Sequence, residues 1–322
     1  MALPGVPRNN RDVSAARGTS KNAGRLVVAI NPLAFDGRNR DLDRRVVARL
    51  RDEGYHLLEV TGATADEQRR LVSEALRPGD TLVVVGGDGM VNIGINAVAG
   101  TRIPLAVMPA GTGNDFARGL GYPVDDKEAS LDLLLTSLTR PPTATDAARV
   151  TTAQGSTLYG CVLSAGFDAF VNERANRMRF PRGRSRYTWA ILFELLRLRP
   201  RHYELTVDGV TREQEAVLIS VANNRLMGGG MLISPNGSLT DGLLEVFVVR
   251  PVTRRRFLRI FPRVFAGRHL SEPEVSIETA RKIRLNSLGI VAYADGDRIG
   301  ELPVEIEVVP GALLVHRFDL VP

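Results

Sequence analysis

The 322-residue sequence predicts two units, an α/β domain built on a parallel sheet followed by a β-sandwich. Three observations predict this. Short, fully apolar runs alternate with helical spacing as far as Pro141-Pro142. Two glycine-rich loops each follow one of those runs directly. Beyond the proline pair, short strand-like segments are separated by Asp-Gly and Asn-Gly turns.

Residues 1–23 are polar, contain Gly and Pro, and carry Arg8, Arg11, Arg17 and Lys21. No apolar stretch of about 7–15 residues follows, as a secretory leader would need. The segment reads as a disordered basic tail. Residues 24–145 read as the α/β domain. Leu26–Ile30 is a buried strand ending in the turn Asn31-Pro32. Leu42 to Arg51 has helical spacing and stops at Gly54; His56–Val60 is a strand, and Ala65–Leu76 a helix closed by Pro78-Gly79. Thr81–Val85 is a β-branched strand running into Gly86-Gly87-Asp88-Gly89, with a helix from Met90 to about Ala99. Ile103–Met108 repeats the pattern and leads into Pro109-Ala110-Gly111-Thr112-Gly113-Asn114-Asp115 and a short helix.

Residues 146–310 read as the sandwich. Its predicted strands are Leu158–Ser164, His202–Val207, Ala216–Ala222, Leu243–Val249, Ile283–Leu285, Ile290–Tyr293 and Val304–Val309. Two arginine-flanked apolar segments, Arg186–Arg199 and Arg254–Phe265, are predicted helices.

Composition narrows the function. A hydrophobic fraction of 44% with 24% charged residues excludes global disorder. A net charge of +6 favours anionic partners. Cys161 is alone, so no intrachain disulfide forms and a reducing, cytoplasmic setting is expected. No run of about 18 apolar residues suits a membrane span. The four histidines are scattered without metal-ligand spacing, and no nucleic-acid-binding motif is present.

The glycine-rich loops carry the chemistry. A loop between a buried strand and a helix presents backbone N–H groups to an anion, and glycine lets the main chain approach it closely. Asp88 would repel phosphate unless a cation or hydroxyl intervenes, which points to a magnesium–nucleotide site. Both loops should emerge at the carboxyl edge of one sheet, where open α/β sheets bind ligands. A Walker loop is absent, because no glycine precedes a lysine in that frame. The dinucleotide fingerprint fails at Asn92.

GGDG followed by Asn92, PAGTGNDFAR, SAGFDA at Ser164–Ala169, PNGSLTDGLLEVFVV from Pro235 and ADGD from Ala294 resemble the soluble bacterial diacylglycerol kinase and sphingosine kinase family. The resemblance runs in order from about Arg25 to the C-terminus. It implies a nucleotide-binding domain like that of NAD kinases and phosphofructokinases, a lipid-binding β-sandwich, and a C-terminal segment, 311–322, returning to the first domain. It also implies ATP, Mg²⁺ and phosphorylation of a lipid hydroxyl, diacylglycerol first and a sphingoid base or ceramide as the alternative. The implied ATP site comprises Asn31, Pro32, Thr61, Gly87, Asp88, Gly89, Met90, Val91, Asn92, Ile93 and Thr112, with Asn114 and Asp115 beside them. The implied magnesium ligands are Ser238, Asp241 and Leu243, with Asp88 and Asp115 joining that network, and the implied general base is Asp297.

Three positions depart from the family pattern. Met90 stands where Thr is usual, Ile93 where Glu is usual, and Asp297 where the base is usually Glu. Ile93 and Asp297 leave a weakly catalytic nucleotide- and lipid-binding regulator open as a reading, and the shared GGDG leaves a kinase of the NAD type, disfavoured by PAGTGNDFAR and the later Asp-Gly elements. Arginines beside apolar residues in both predicted helices suit peripheral docking on the anionic inner face of a membrane. Nucleic acid is not an expected partner, and a homodimer is left open.

Overall fold

The computed structural model describes residues 24–30, 40–178, 180 and 184–317. The expectations for the tail 1–23, for Asn31 and for Pro32 lie outside the described residues.

The first half alternates as its apolar pattern requires: β1 (Leu26–Ile30), α1 (Arg40–Asp52), β2 (Leu57–Val60), α2 (Ala65–Ala75), β3 (Thr81–Gly86), α3 (Asp88–Val98), β4 (Leu105–Pro109), α4 (Asp115–Gly119) and α5 (Lys127–Leu138). The four strands are parallel in the order β2-β1-β3-β4. Every residue of β1 and β4 is buried, which is why these strands read as unbroken apolar runs. Parallel pairing puts all four carboxyl ends on one edge.

The second half contains β5 (Thr143–Thr152), β6 (Gly155–Tyr159), β7 (Val162–Gly166), α6 (Phe167–Arg177), α7 (Arg184–Leu196), β8 (Arg201–Val207), β9 (Val210–Ala216), β10 (Leu218–Ala222) and the small hairpin β11 (Leu226–Met227) with β12 (Met231–Leu232). There follow β13 (Leu244–Val249), α8 (Arg254–Ile260), β14 (Val275–Ala280), β15 (Lys282–Asn286), β16 (Val291–Ala294), β17 (Asp297–Glu301) and β18 (Val304–Val315). One layer is the antiparallel sheet β14-β13-β10-β7-β16-β17. The other layer continues the α/β sheet itself, because β18 pairs with β15 and β5 and also reaches β4 in parallel at Val315 opposite Leu105. Tyr159, Tyr203, Leu163, Ile219 and Ile306 fill the space between the layers.

Several elements differ from the sequence expectation. Leu158–Ser164 is two strands in different sheets, parted at Gly160-Cys161, where a Cβ on Gly160 would press into Ile95 and Phe116. Ala216–Ala222 likewise changes sheets at Val217. The Arg254–Phe265 helix stops at Ile260 and continues as a 3₁₀ segment, since Pro262 has no N–H to sustain the α-helical ladder. The helices α5 and α6 and the strands β5, β9, β14 and β17 were not anticipated.

Leu313 on β18 is buried where the two halves share their sheet. Leu313→Ala should lower stability by about 2–5 kcal/mol in urea titration. A single transition should remain, because both halves lean on the same strand; two separated transitions would contradict that coupling.

Candidate active site

The two glycine corners touch. Adjacent pairing carries β3 and β4 to the same level, Gly86 opposite Pro109, and the Ala110 N–H donates to the Gly86 carbonyl at 2.9 Å. A Cβ on Gly87 would stand 3.0 Å from the Gly111 Cα, and one on Gly111 would collide with Gly87 outright. Only glycine at both positions allows this approach. Gly87 caps α3 without a side chain, so the start of that helix presents bare N–H groups at the corner. Asn114, in the left-handed region at φ 56°, holds the second loop in shape. Its Oδ1 accepts the Gly111 N–H at 2.8 Å, and its Nδ2 donates to the Gly111 carbonyl at 2.9 Å.

A cavity of about 680 Å³ opens from these corners across the face of the six-stranded sheet. Its polar end holds Asp88, Thr112, Asp115, Arg118 and Asp295. Its body is apolar, walled by Phe167, Val171, Leu218, Phe247, Phe257 and Ile260. The Phe167 and Phe257 rings pack 4.7 Å apart.

The carboxylates at the polar end are anchored by backbone. Asp88 Oδ1 accepts the Phe116 N–H at 3.2 Å, tying α3 to the start of α4. Asp115 accepts the Gly229 and Gly230 N–H groups at 2.9 Å, joining the second glycine corner to the β11–β12 hairpin. Asp295 accepts from Gly160 at 2.7 Å, Cys161 at 2.9 Å and Val162 at 3.1 Å. Burial raises all three. Asp88 lies above the usual carboxylate range, and Asp115 is pushed to about 6 by burial and then by Asp88. Asp295 is pushed to about 7 by burial, with Asp88 adding to the rise and the three N–H donors opposing it. Deeper in the cavity, burial raises Asp168 to about 6, and its Oδ2 is buried without a hydrogen-bond partner.

Residues 25–147 match the family described as diacylglycerol kinase catalytic domain, and residues 161–317 match the YegS C-terminal NAD kinase beta sandwich-like domain. A diacylglycerol kinase of Mycobacterium tuberculosis (strain ATCC 25618 / H37Rv) is 40% identical over 309 residues, covering 95% of this chain and 99% of that protein. The chain belongs to the diacylglycerol kinase family. A Bacillus subtilis (strain 168) diacylglycerol kinase is 26% identical over 81% of this chain and 86% of its own. The fold matches the crystal structure of a diacylglycerol kinase from Bacillus anthracis str. Sterne with a TM-score of 0.69, 21% identity, and coverage of 93% of this chain and 98% of that one.

Against the expected site of a diacylglycerol kinase family member, the structure brings some residues together and keeps others apart. Gly87, Asp88, Gly89, Thr112, Asn114 and Asp115 meet at the corners, and Thr61 lies exposed on the same sheet edge after β2. The side chains of Met90, Val91 and Ile93 are buried in the core. Asn92 is buried as well, its Nδ2 donating to the Leu158 carbonyl at 3.0 Å. The usual Glu at the Ile93 position has thus been replaced by a core residue.

Ser238, Asp241 and Leu243 are not among the residues lining the cavity that Asp88 and Asp115 line. Their loop is tied down separately: Asp146 accepts the Gly242 N–H at 2.7 Å and the Gly311 N–H at 2.8 Å. Asp297 does not line the cavity either. Asp295 and Gly296, at φ 51° and 90°, form a two-residue turn between β16 and β17, with Ala294 paired to Asp297. The turn tucks Asp295 inward and leaves Asp297 on the outgoing strand outside the cavity, its carboxyl raised by partial desolvation with the charge of Arg69 opposing the rise. Arg118, Asp295 and Gly228–Gly230 were not singled out from sequence. The triple glycine was the available signal, since all three occupy positive φ in a tight hairpin.

Two expectations follow. Gly111→Ala must force the corners apart, so nucleotide affinity should fall at least about tenfold by calorimetry while the fold survives; unchanged affinity would contradict the close approach. Asp295 has a folded-state value above its unfolded one, so its contribution to stability is complete below about pH 4 and lost as pH rises through about 7. Asp295→Asn should therefore shrink the fall in Tm between pH 5 and pH 8, and an unaltered pH dependence would show that the carboxyl is not buried.

Proposed function

We propose that the protein transfers the γ-phosphoryl group of ATP to a lipid hydroxyl, with diacylglycerol as substrate and phosphatidate as product. One observation carries this reading. A long apolar cavity ends in a carboxylate cluster directly against two touching glycine corners, so an acyl-bearing alcohol and a triphosphate can meet there. Binding the chain in the apolar body positions the hydroxyl, which is where most of the rate gain of such a site comes from.

The hydroxyl oxygen attacks the γ-phosphorus in line as the bond to the β–γ bridging oxygen breaks, and its proton passes to a carboxylate. We assign that acceptor to Asp295 rather than Asp297, because Asp295 lies on the cavity wall and Asp297 does not. The first N–H groups of α3 would face the phosphates, and Arg118, whose Nε donates to the Gly113 carbonyl at 3.2 Å, adds a cation at the same end.

The donors fit a hard cation. Among the described residues no three His, Cys, Asp or Glu side chains cluster to hold a metal, while the carboxylate oxygens of Asp88 and Asp115 are of the kind a hard cation takes. Asp88 and Asp115 would hold Mg²⁺ at the phosphates, where it neutralises developing charge. Asp241 with the Ser238 and Leu243 carbonyls is a second oxygen-rich place. The buried Oε2 of Glu245 lacks a partner, and Asp241 raises that carboxyl further after burial has done so.

A sphingoid base is the second reading, favoured by Asp168. Its unpartnered oxygen in the cavity would accept a hydrogen bond from an amino alcohol. Among the described residues no helix is long and apolar enough to cross a membrane. Access to lipid then falls to α7, whose Trp189, Leu192, Phe193 and Leu196 share one helical face and are 45–63% exposed. That face and the arginines of α8 suit docking on an anionic leaflet.

Purified protein with labelled ATP and Mg²⁺ should phosphorylate diacylglycerol in mixed micelles, above sphingosine, ceramide and NAD. Asp295→Asn and Asp88→Asn should each lower kcat by about 10²–10⁴-fold. Asp297→Asn should lose less than either; if it alone abolishes turnover, the proton acceptor is Asp297.

A further inference from the structure

A second cavity of about 490 Å³ lies beside the lipid cavity and shares Phe167 with it. Four arginines, Arg197, Arg199, Arg201 and Arg254, line it against a single carboxylate, Glu194. That carboxylate is already engaged, since the Arg174 Nε donates to it. None of the four arginines is paired with an acid among the described residues. Arg201 Nε is buried without a hydrogen-bond partner, and its guanidinium lies 5.5 Å from the centroid of the Phe170 ring.

Three separate segments converge to make this hollow. Arg197 and Arg199 follow the end of α7, Arg201 opens β8, and Arg254 opens α8. Like charges gathered around one space repel, and a buried donor with no acceptor is costly. A bound anion relieves both. The guanidinium fork matches phosphate oxygens in geometry as well as charge. The neighbouring surface says what else the occupant carries, because the exposed apolar face of α7 ends at Leu196, directly before Arg197. Charge in the hollow with apolar surface at its edge fits a headgroup attached to acyl chains.

We propose that this arginine-lined cavity binds the phosphate of an anionic glycerophospholipid and so anchors the protein with its substrate cavity beside the membrane. The lipid-kinase reading supplies only the identity of the neighbouring cavity, and the binding can be measured without turnover. Trp189 is the sole tryptophan and lies on the α7 face, so its emission reports an occupant there.

The test titrates the full chain with dihexanoylphosphatidylglycerol below its micellar concentration, with dihexanoylglycerol and inorganic phosphate as separate arms. A saturable shift of Trp189 emission is expected with the phospholipid alone. Arg201→Gln and the more exposed Arg254→Gln should each weaken it by at least about tenfold, while Arg102→Gln, outside the hollow, leaves it unchanged. Arg201→Gln should keep wild-type turnover of diacylglycerol in neutral detergent micelles. Binding in Arg201→Gln and Arg254→Gln equal to wild type would overturn the proposal. So would an equal response to dihexanoylglycerol, which would place the ligand in the substrate cavity. Saturation by inorganic phosphate at the same concentration would reassign the hollow to free phosphate. A wild-type chain that binds the phospholipid but phosphorylates no lipid would overturn the kinase reading and leave this one standing.

Discussion

The site depends on a backbone contact. Parallel strands β3 and β4 deliver their following loops to one level, and the absence of side chains at Gly87 and Gly111 lets those loops close on each other. The start of α3 then lies against the second loop, which Asn114 fixes by bonding Gly111 in both directions. Aligned peptide dipoles favour an anion there, and Asp88 and Asp115 at the same place call for a cation with it. An acidic cluster beside an anion site is self-contradictory unless both ligands arrive together, which is the situation of a metal-bound triphosphate.

The second half of the molecule supplies the other substrate. Asp115 spans the join through Gly229 and Gly230, Asn224 Nδ2 donates to the Asp115 carbonyl at 2.8 Å, and Asp295 is clamped by three backbone donors at the gap between β6 and β7. The break in the predicted Leu158–Ser164 strand has a purpose in this light. Splitting it at Gly160-Cys161 exposes the N–H groups that Asp295 needs and sends the two pieces to opposite layers. The shared strand β18 keeps the glycine corners and the apolar cavity in one frame.

Much of this was legible in the sequence because its causes are local. Buried parallel strands are fully apolar, helices have their own period, and glycine-rich corners stand out in Gly86–Gly89 and Pro109–Asp115. What could not be read depended on distant partners. β5 (Thr143–Thr152) carries few large apolar residues and is a strand because β18 and β6 pair on its two sides. Met90, Val91 and Ile93 follow the glycines closely enough to suggest ligand contact, yet the turn of α3 points them into the core. The Asp295-Gly296 turn was legible as an Asp-Gly pair, but which of Asp295 and Asp297 lines the cavity depends on a register shift between Ala292 and Tyr293 that has no sequence signature.

The central claim is that both corners grip one nucleotide. Amide hydrogen exchange of the full chain, with and without a non-hydrolysable ATP analogue and Mg²⁺, tests it most directly. Joint slowing at residues 86–90 and 109–115, saturating at one shared concentration, is the predicted result. Slowing at one corner without the other, or at neither while the analogue is bound, would contradict it.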